Sequence, residues 1–321
     1  MVKLAVIGAG GIAATHLKVL PSTEGVEVVG VADILRERAE SAARGCGAKA
    51  WYVDYREMID RESPDAVYVL TPPFLHQEQV CYAVERGIHV FVEKPLEVNL
   101  GRARKILDAL RRRSVTTQVG YHWRFMEGIR RAREILLSMG GPIGLIEARW
   151  WGGVYMAPWW IKAEQSGGQI VEQATHIFDQ VRWLGGDVSQ VYGVLGTLLN
   201  RDIPEFAIED VAIATLSLKS GAFAVVSSTN AAVAPEVWVK AVAKNVKYEA
   251  DWSKATVYWK DRSETYYNKA NAYDEEDKAF IEALRKGIGS PVPIQEGYKS
   301  LELSLAAIES AKRGRPVTLP L

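Results

Sequence analysis

A short apolar run, Lys3–Ile7, passes directly into Gly8-Ala9-Gly10-Gly11-Ile12-Ala13, and a helical pattern opens behind it. No other stretch restricts the fold of this chain so strongly. A G-x-G-x-x-A turn between strand and helix needs Gly8 for the tight turn and Gly10 for close approach of backbone to a ligand, while Ala13 lets helix and strand pack together. The helix start leaves N–H groups unpaired, which suits phosphate. Asp33 then closes the next apolar run, Val26–Ala32. A carboxylate there accepts hydrogen bonds from a ribose diol and repels a 2′-phosphate. Strand, turn, helix and acid together predict dinucleotide binding through Gly8, Gly10, Gly11, Ile12 and Asp33. NAD is favoured over NADP, although Arg36 and Arg38 lie near enough in sequence to meet a phosphate.

The first 120 residues repeat this alternation. Ala66–Thr71, His89–Val92 and Thr116–Gly120 read as strands, and Arg36–Arg44, Leu75–Arg86 and Leu100–Arg112 as helices. Near-continuous apolar strands are those of a parallel sheet covered on both faces. The expected fold class is therefore α/β, a doubly wound parallel sheet of the Rossmann type with right-handed crossovers. After Arg124 the pattern changes. A helix over Gly128–Ser138 and a Gly140-Gly141-Pro142 loop precede hairpin-linked strands at Val211–Leu218, Ala222–Thr229, Glu236–Val242 and Thr256–Trp259. Two helices follow, Glu275–Lys286 and Glu296–Arg313. This half reads as an α+β domain on a large, mostly antiparallel sheet. At 321 residues two domains are expected: residues 1–121 for the dinucleotide, and 122–321 for substrate binding and oligomerisation.

Thirty-nine basic side chains balance thirty-nine acidic ones, so the chain lacks the positive field that nucleic acid or an anionic membrane requires. Its first apolar stretch, Leu4–Ala14, includes three glycines and is far shorter than the ~20 residues that span a bilayer. No signal peptide is visible. Cys46 and Cys81 form neither a disulfide framework nor a metal-ligand spacing. No metal is expected, and a reducing cytoplasm is the expected location.

Two further motifs stand just past strand ends, where open parallel sheets bind ligands: Thr71-Pro72-Pro73-Phe74-Leu75-His76 and Glu93-Lys94-Pro95. Gly120-Tyr121-His122-Trp123-Arg124-Phe125 follows, and then Gly167-Gly168-Gln169-Ile170-Val171-Glu172-Gln173-Ala174-Thr175-His176, continued by Ile177-Phe178-Asp179. With the glycine turn, these motifs resemble the glucose–fructose oxidoreductase, inositol dehydrogenase and MocA-like family over essentially the whole chain. The resemblance implies a pyridine-nucleotide oxidoreductase that moves a hydride between nicotinamide and a secondary hydroxyl of a sugar, inositol or related polyol. It implies Lys94 and His176 as the catalytic pair, and cofactor contacts from Thr71, Pro72, His76, Glu93 and Lys94. The chain carries Glu172 where the family commonly has Asp, and Ala174 where Gly is frequent, which marks a subgroup. The family also contains NAD-dependent glycoside hydrolases that oxidise transiently, and non-catalytic cofactor-sensing regulators. Retention of Lys94 together with His176 speaks against the regulator.

Free imidazole has a pKa of about 6.5, so His176 suits the base that takes the hydroxyl proton. Lys94 then stabilises the developing alkoxide, or itself takes the proton in place of His176. Glu172, four residues before His176 in a segment that reads helical, shares its face and either orients the imidazole or meets substrate hydroxyls. Six of the ten tryptophans fall between Trp123 and Trp183. The loop with Tyr155, Trp159, Trp160 and Lys162 offers aromatic faces for a sugar ring and is placed to close over it, while Trp150 reads as core. Tyr121, Arg124 and Asp179 complete the expected substrate contacts. Val225, Trp238, Val239 and Val242 predict an apolar outer sheet face, and with it a homodimer or homotetramer.

Overall fold

All 321 residues are described by a computed structural model. β1 (Val2–Ile7) buries Leu4, Ala5, Val6 and Ile7 without alternation, as a strand covered on both faces must. It pairs in a six-stranded parallel sheet with β2 (Val26–Ala32), β3 (Ala50–Tyr52), β4 (Ala66–Val69), β5 (His89–Val92) and β6 (Thr117–Val119), in the order β3-β2-β1-β4-β5-β6. α1 (Gly11–Val19), α2 (Arg36–Cys46), α3 (Tyr55–Glu62), α4 (His76–Glu85) and α5 (Leu100–Arg111) make the crossovers. This is the expected doubly wound sheet. Strand order reverses between β1 and β4, so the ligand crevice lies beyond their carboxyl ends. The glycine turn follows β1, and Thr71 follows β4.

The second sheet has nine strands: β7 (Ile143–Trp151), β8 (Val188–Gly196), β9 (Val211–Leu218), β10 (Phe223–Thr229), β11 (Glu236–Ala243), β12 (Lys247–Asp251), β13 (Lys254–Tyr258), β14 (Ser263–Tyr267) and β15 (Val317–Thr318). Their order is β14-β13-β12-β11-β7-β10-β9-β8-β15, antiparallel except where β10 runs parallel to β7. The helices of this half of the chain are α6 (Glu127–Met139), α7 (Ala163–Ser166), α8 (Gln169–Glu172), α9 (Thr175–Gly185), α10 (Ala272–Lys286) and α11 (Ile294–Arg313). α6 lies on β12, β13 and β14, and α9 on β7, β10 and β11. α11 comes so close to β8 that a Cβ on Gly193 would stand 2.3 Å from the Ala307 carbonyl oxygen, so only glycine fits there.

The side-chain period of two leaves the other face of this sheet open. In β9, Ala212, Ala214, Leu216 and Leu218 face inward while Ile213 is exposed. Val242, Leu145 and Phe223 stand in one row across β11, β7 and β10, and Val194 pairs with Ile213 across β8 and β9. All five are exposed. The sequence reading placed Val239 on this face as well, and that is corrected here. Val239 is fully buried opposite Ala148 and Ala250, because alternation turns it away from Trp238 and Val242.

The chain forms two units, Met1–Gly120 with Tyr273–Tyr298, and Tyr121–Ala272 with Lys299–Leu321. A division at residue 121 assigns α10 to the second domain. The structure instead packs it with the first, where Phe280 and Ile281 join Leu4, Val6, Tyr68 and Phe91 in one core.

Candidate active site

In the first unit, Gly8 has φ +97°, and a Cβ on it would lie 2.8 Å from the Leu70 carbonyl oxygen, so no other residue fits. At Gly10 and Gly11 a Cβ would meet nothing within 4 Å, which leaves open space at the start of α1. No side chain caps that helix start, and no acid stands in its first turn. Asp33 Oδ2 accepts the Ala9 N–H at 2.8 Å and Oδ1 the Leu35 N–H at 2.9 Å. The carboxylate therefore braces the glycine turn, and each oxygen keeps a second lone pair. Uncapped N–H groups beside open space fit a pyrophosphate, and the acid at the end of β2 fits a diol. Arg36 lies over the Trp51 ring, 4.9 Å from its centroid.

Thr71, Pro72 and Lys94 are half-exposed at the strand ends. Two expected cofactor contacts are corrected. His76 is fully buried, with Nδ1 3.0 Å from the Pro95 carbonyl oxygen and Nε2 2.8 Å from that of Thr71. It braces the two ligand-facing loops and leaves no atom for a ligand. The Glu93 carboxylate faces inward, where Oε2 accepts the Lys94 backbone N–H at 3.0 Å and Oε1 lies 3.3 Å from His16 Nε2. Donor atoms of His16, Glu93 and Glu276 lie within 4.8 Å of one another. His16 is committed to Glu93 and, through Nδ1, to Asp277, so these three form a hydrogen-bonded network, and the Glu276 carboxyl lies beside it without a hydrogen bond of its own.

In the second unit, His176 stands in the first turn of α9 and is buried among rings. The Trp150 indole stacks on it, with centroids 5.4 Å apart and planes 17° apart. His122 meets it edge-on at 4.7 Å and Tyr121 at 5.9 Å. Trp252, from the β12–β13 turn, stacks on His122 at 5.7 Å, meets Trp150 edge-on at 5.6 Å, and remains 43% exposed. The plane of the imidazole is thereby fixed by packing. Neither Trp150, read as core, nor His122 was expected beside it. Trp252 was missed altogether, and its one signal was a tryptophan in a hairpin turn.

Gly167 and Gly168 both have positive φ, and they turn the chain into α8. Glu209 Oε1 accepts the Ile170 N–H at 2.7 Å, and a Cβ on Gly168 would stand 2.5 Å from Glu209 Oε2. Half-buried Glu209 thereby holds the segment that carries Glu172 and His176. Its sequence signal, two acids ahead of a strand, does not separate it from a solvated loop. Residues 173–174 form a turn between α8 and α9, so Glu172 and His176 do not share one continuous helix. Glu172 Oε2 accepts the Trp160 indole N–H at 2.7 Å.

Several expected substrate contacts are spent on the fold. Arg124 donates to both oxygens of Asp179 at 2.7 Å, and Ser300 Oγ adds a bond to Asp179 Oδ1 at 2.9 Å, all in a buried setting. Tyr121 is fully buried and hydrogen-bonds Thr175 Oγ1 at 2.7 Å. Trp160 is buried with Ile161 and Ile208, and the Ala207 N–H bonds the Ile161 carbonyl at 2.9 Å, so the loop expected to close is pinned along this side. Trp159 is half-buried, and Lys162 pairs with Glu205 at 3.5 Å.

Fold and glycine cradle define a dinucleotide-binding oxidoreductase. The chain belongs to the GFO/IDH/MocA family: residues 2–121 match the model described as an oxidoreductase family with an NAD-binding Rossmann fold, and residues 130–257 match the family's C-terminal domain. NAD is accordingly its cofactor. The chain is 26% identical over 330 residues to the myo-inositol 2-dehydrogenase of Thermotoga maritima, covering 99% of this chain and 98% of that one. It is 30% identical over 224 residues to the scyllo-inositol 2-dehydrogenase (NAD(+)) of Bacillus subtilis, covering 69% and 65%. Its fold matches levoglucosan dehydrogenase in complex with NADH at a TM-score of 0.92 and 20% identity, over 99% of both chains. No helix is long and apolar enough to cross a membrane.

Proposed function

We propose that the protein oxidises a secondary hydroxyl of a sugar, inositol or related polyol, with cofactor binding in the first unit and substrate binding in the second. The observation that carries this reading is the His176 imidazole held flat against Trp150 in the first turn of α9. The glycine turn and Asp33 would hold NAD, which would supply the hydride acceptor. His176 takes the hydroxyl proton, and the Lys94 ammonium stabilises the alkoxide as it forms. Glu172 and half-buried Trp159 contribute to the polyol site, Lys162 stands at its rim, and the lone pairs left on Asp33 bind the ribose. Inositol dehydrogenases among the relatives support the substrate class. Two cysteines outside any disulfide suit the cytoplasm, where we place the enzyme.

The test is NADH absorbance with purified protein and a panel of inositols and aldoses, beside a matched NADP series. NADH growing beyond one equivalent per protein molecule supports a dehydrogenase. Release of a leaving group from glycosides, without net NADH, overturns it in favour of transient-oxidation hydrolysis. Lys94→Ala and His176→Ala each lower kcat by about 10²–10⁴-fold while NADH affinity stays within about threefold. An unchanged rate removes the role assigned to that residue.

A further inference from the structure

α10 carries two acids into the core of the first unit. Glu276 and Asp277 are fully buried, although carboxylates rarely are unless paired. Asp277 Oδ1 lies 2.8 Å and Oδ2 3.0 Å from His16 Nδ1 on α1. His16 Nε2 lies 3.3 Å from Glu93 Oε1, and Glu93 Oε2 accepts the Lys94 N–H at 3.0 Å. An unbroken hydrogen-bonded path thus runs from α10 through α1 and the end of β5 to the Lys94 peptide. Gly120 lies against it: a Cβ there would stand 2.7 Å from Glu93 Oε1, so only glycine leaves room for the carboxylate.

The groups facing this path come from every element around it. Tyr68 of β4 and Tyr273 of α10 meet the His16 ring edge-on at 5.7 and 5.8 Å, and Phe91 of β5 does so at 5.1 Å. Glu276 shares the pocket, and Gln118 of β6 donates to its main-chain carbonyl at 2.9 Å. A ring between two carboxylates donates from both nitrogens only as imidazolium. Burial alone lowers the pKa of His16, but the charge and hydrogen bond of Asp277, with those of Glu93, outweigh it and raise the ring to about 10. Burial, and then Glu93, push Glu276 well above the usual carboxylate range, so it stays neutral.

We propose that Asp277, His16 and Glu93 form a positioning relay for Lys94, in which the charged imidazole fixes the Glu93 carboxylate and that carboxylate fixes the Lys94 peptide. The relay rests on the reading of Lys94 as the catalytic lysine. None of the three touches the reacting atoms; all act through the turn that presents Lys94.

Asp277→Asn tests this in the full-length enzyme with NAD and its best polyol. The variant keeps the size of the side chain and one acceptor, but removes the anion that holds His16 protonated. In the wild type, kcat shows no His16 transition between about pH 6 and about pH 9. In Asp277→Asn, kcat falls about tenfold or more through a new alkaline limb in that range, while KM for polyol and NAD stays within about threefold. Adding His16→Gln gives a low rate without the limb. A wild-type profile in Asp277→Asn, or a loss equal at every pH, overturns the relay. Amide hydrogen exchange in the wild-type segment 90–96 needs neither a folded variant nor turnover. Its protection should drop as pH nears about 10, and flat protection there also overturns the proposal. A pH-dependent drop in a wild type that oxidises no polyol supports the relay and refutes the functional reading alone.

Discussion

Half-buried Glu209 accepts the Ile170 N–H, and desolvation of its carboxyl, opposed by its backbone hydrogen bonds, pushes its pKa up to about 7. A carboxyl whose folded pKa is raised holds its proton more tightly in the folded state. Its contribution to stability is therefore full below its ordinary pKa of about 4.5, declines as pH rises, and is lost above about 7. Glu209→Gln keeps an acceptor for Ile170 and removes the titration. The variant should show a flatter fall of thermal midpoint between about pH 5 and about pH 7, and at about pH 8 it should exceed the wild type by roughly 2 kcal/mol. Parallel curves for the two proteins would refute the assignment. Gly8, Gly10 and Asp33 were legible because their chemistry is local: a turn, a helix start and a strand end, all within one βαβ unit. Arg124 and Asp179 were not. A charged residue inside a functional motif reads as a ligand contact until its partner is known, and these two lie 55 positions apart in sequence.

At the level of elements, α10 shows how far periodicity reaches. Its helical pattern was plain in residues 275–286, but a stripe of apolar positions does not name the sheet it covers. Its two adjacent acids, Glu276 and Asp277, are fully buried in the structure. Phe280 is fully buried in the first unit and meets Tyr68 and Phe91 edge-on at 5.7 and 5.9 Å. Phe280→Ala should cost about 3–5 kcal/mol, read as a lower urea midpoint for the transition that also releases NADH. An unshifted NADH-linked transition would show that α10 does not complete the first core. The loop expected to close over substrate has a similar history. Its aromatic residues were visible in sequence, but the segment 206–208 that pins it lies on the far side of α9 and β8, and no local pattern signals that pairing.

For the whole molecule, Val242, Leu145 and Phe223 form one exposed apolar row across the sheet, and Val194 and Ile213 form a second exposed apolar pair four residues further along β9, on a chain of zero net charge. Nothing in that balance keeps two copies apart, and a broad apolar sheet face is the kind of surface a second copy covers. We expect a dimer or tetramer at micromolar concentration by light scattering, and a monomer with intact NADH binding for Phe223→Lys combined with Val194→Lys. A monomeric wild type would refute this. The return of residues 273–298 to the first unit also has a consequence during synthesis. A ribosome delivers the six-stranded sheet early, but Asp277 and Phe280 emerge only after the whole of residues 121–272. At roughly 5–20 residues per second, the nascent chain holds His16, Tyr68 and Phe91 without their cover for on the order of ten seconds. The unit translated first thus cannot complete its core until most of the second unit has been made, and the growing polypeptide has most need of a chaperone during that interval.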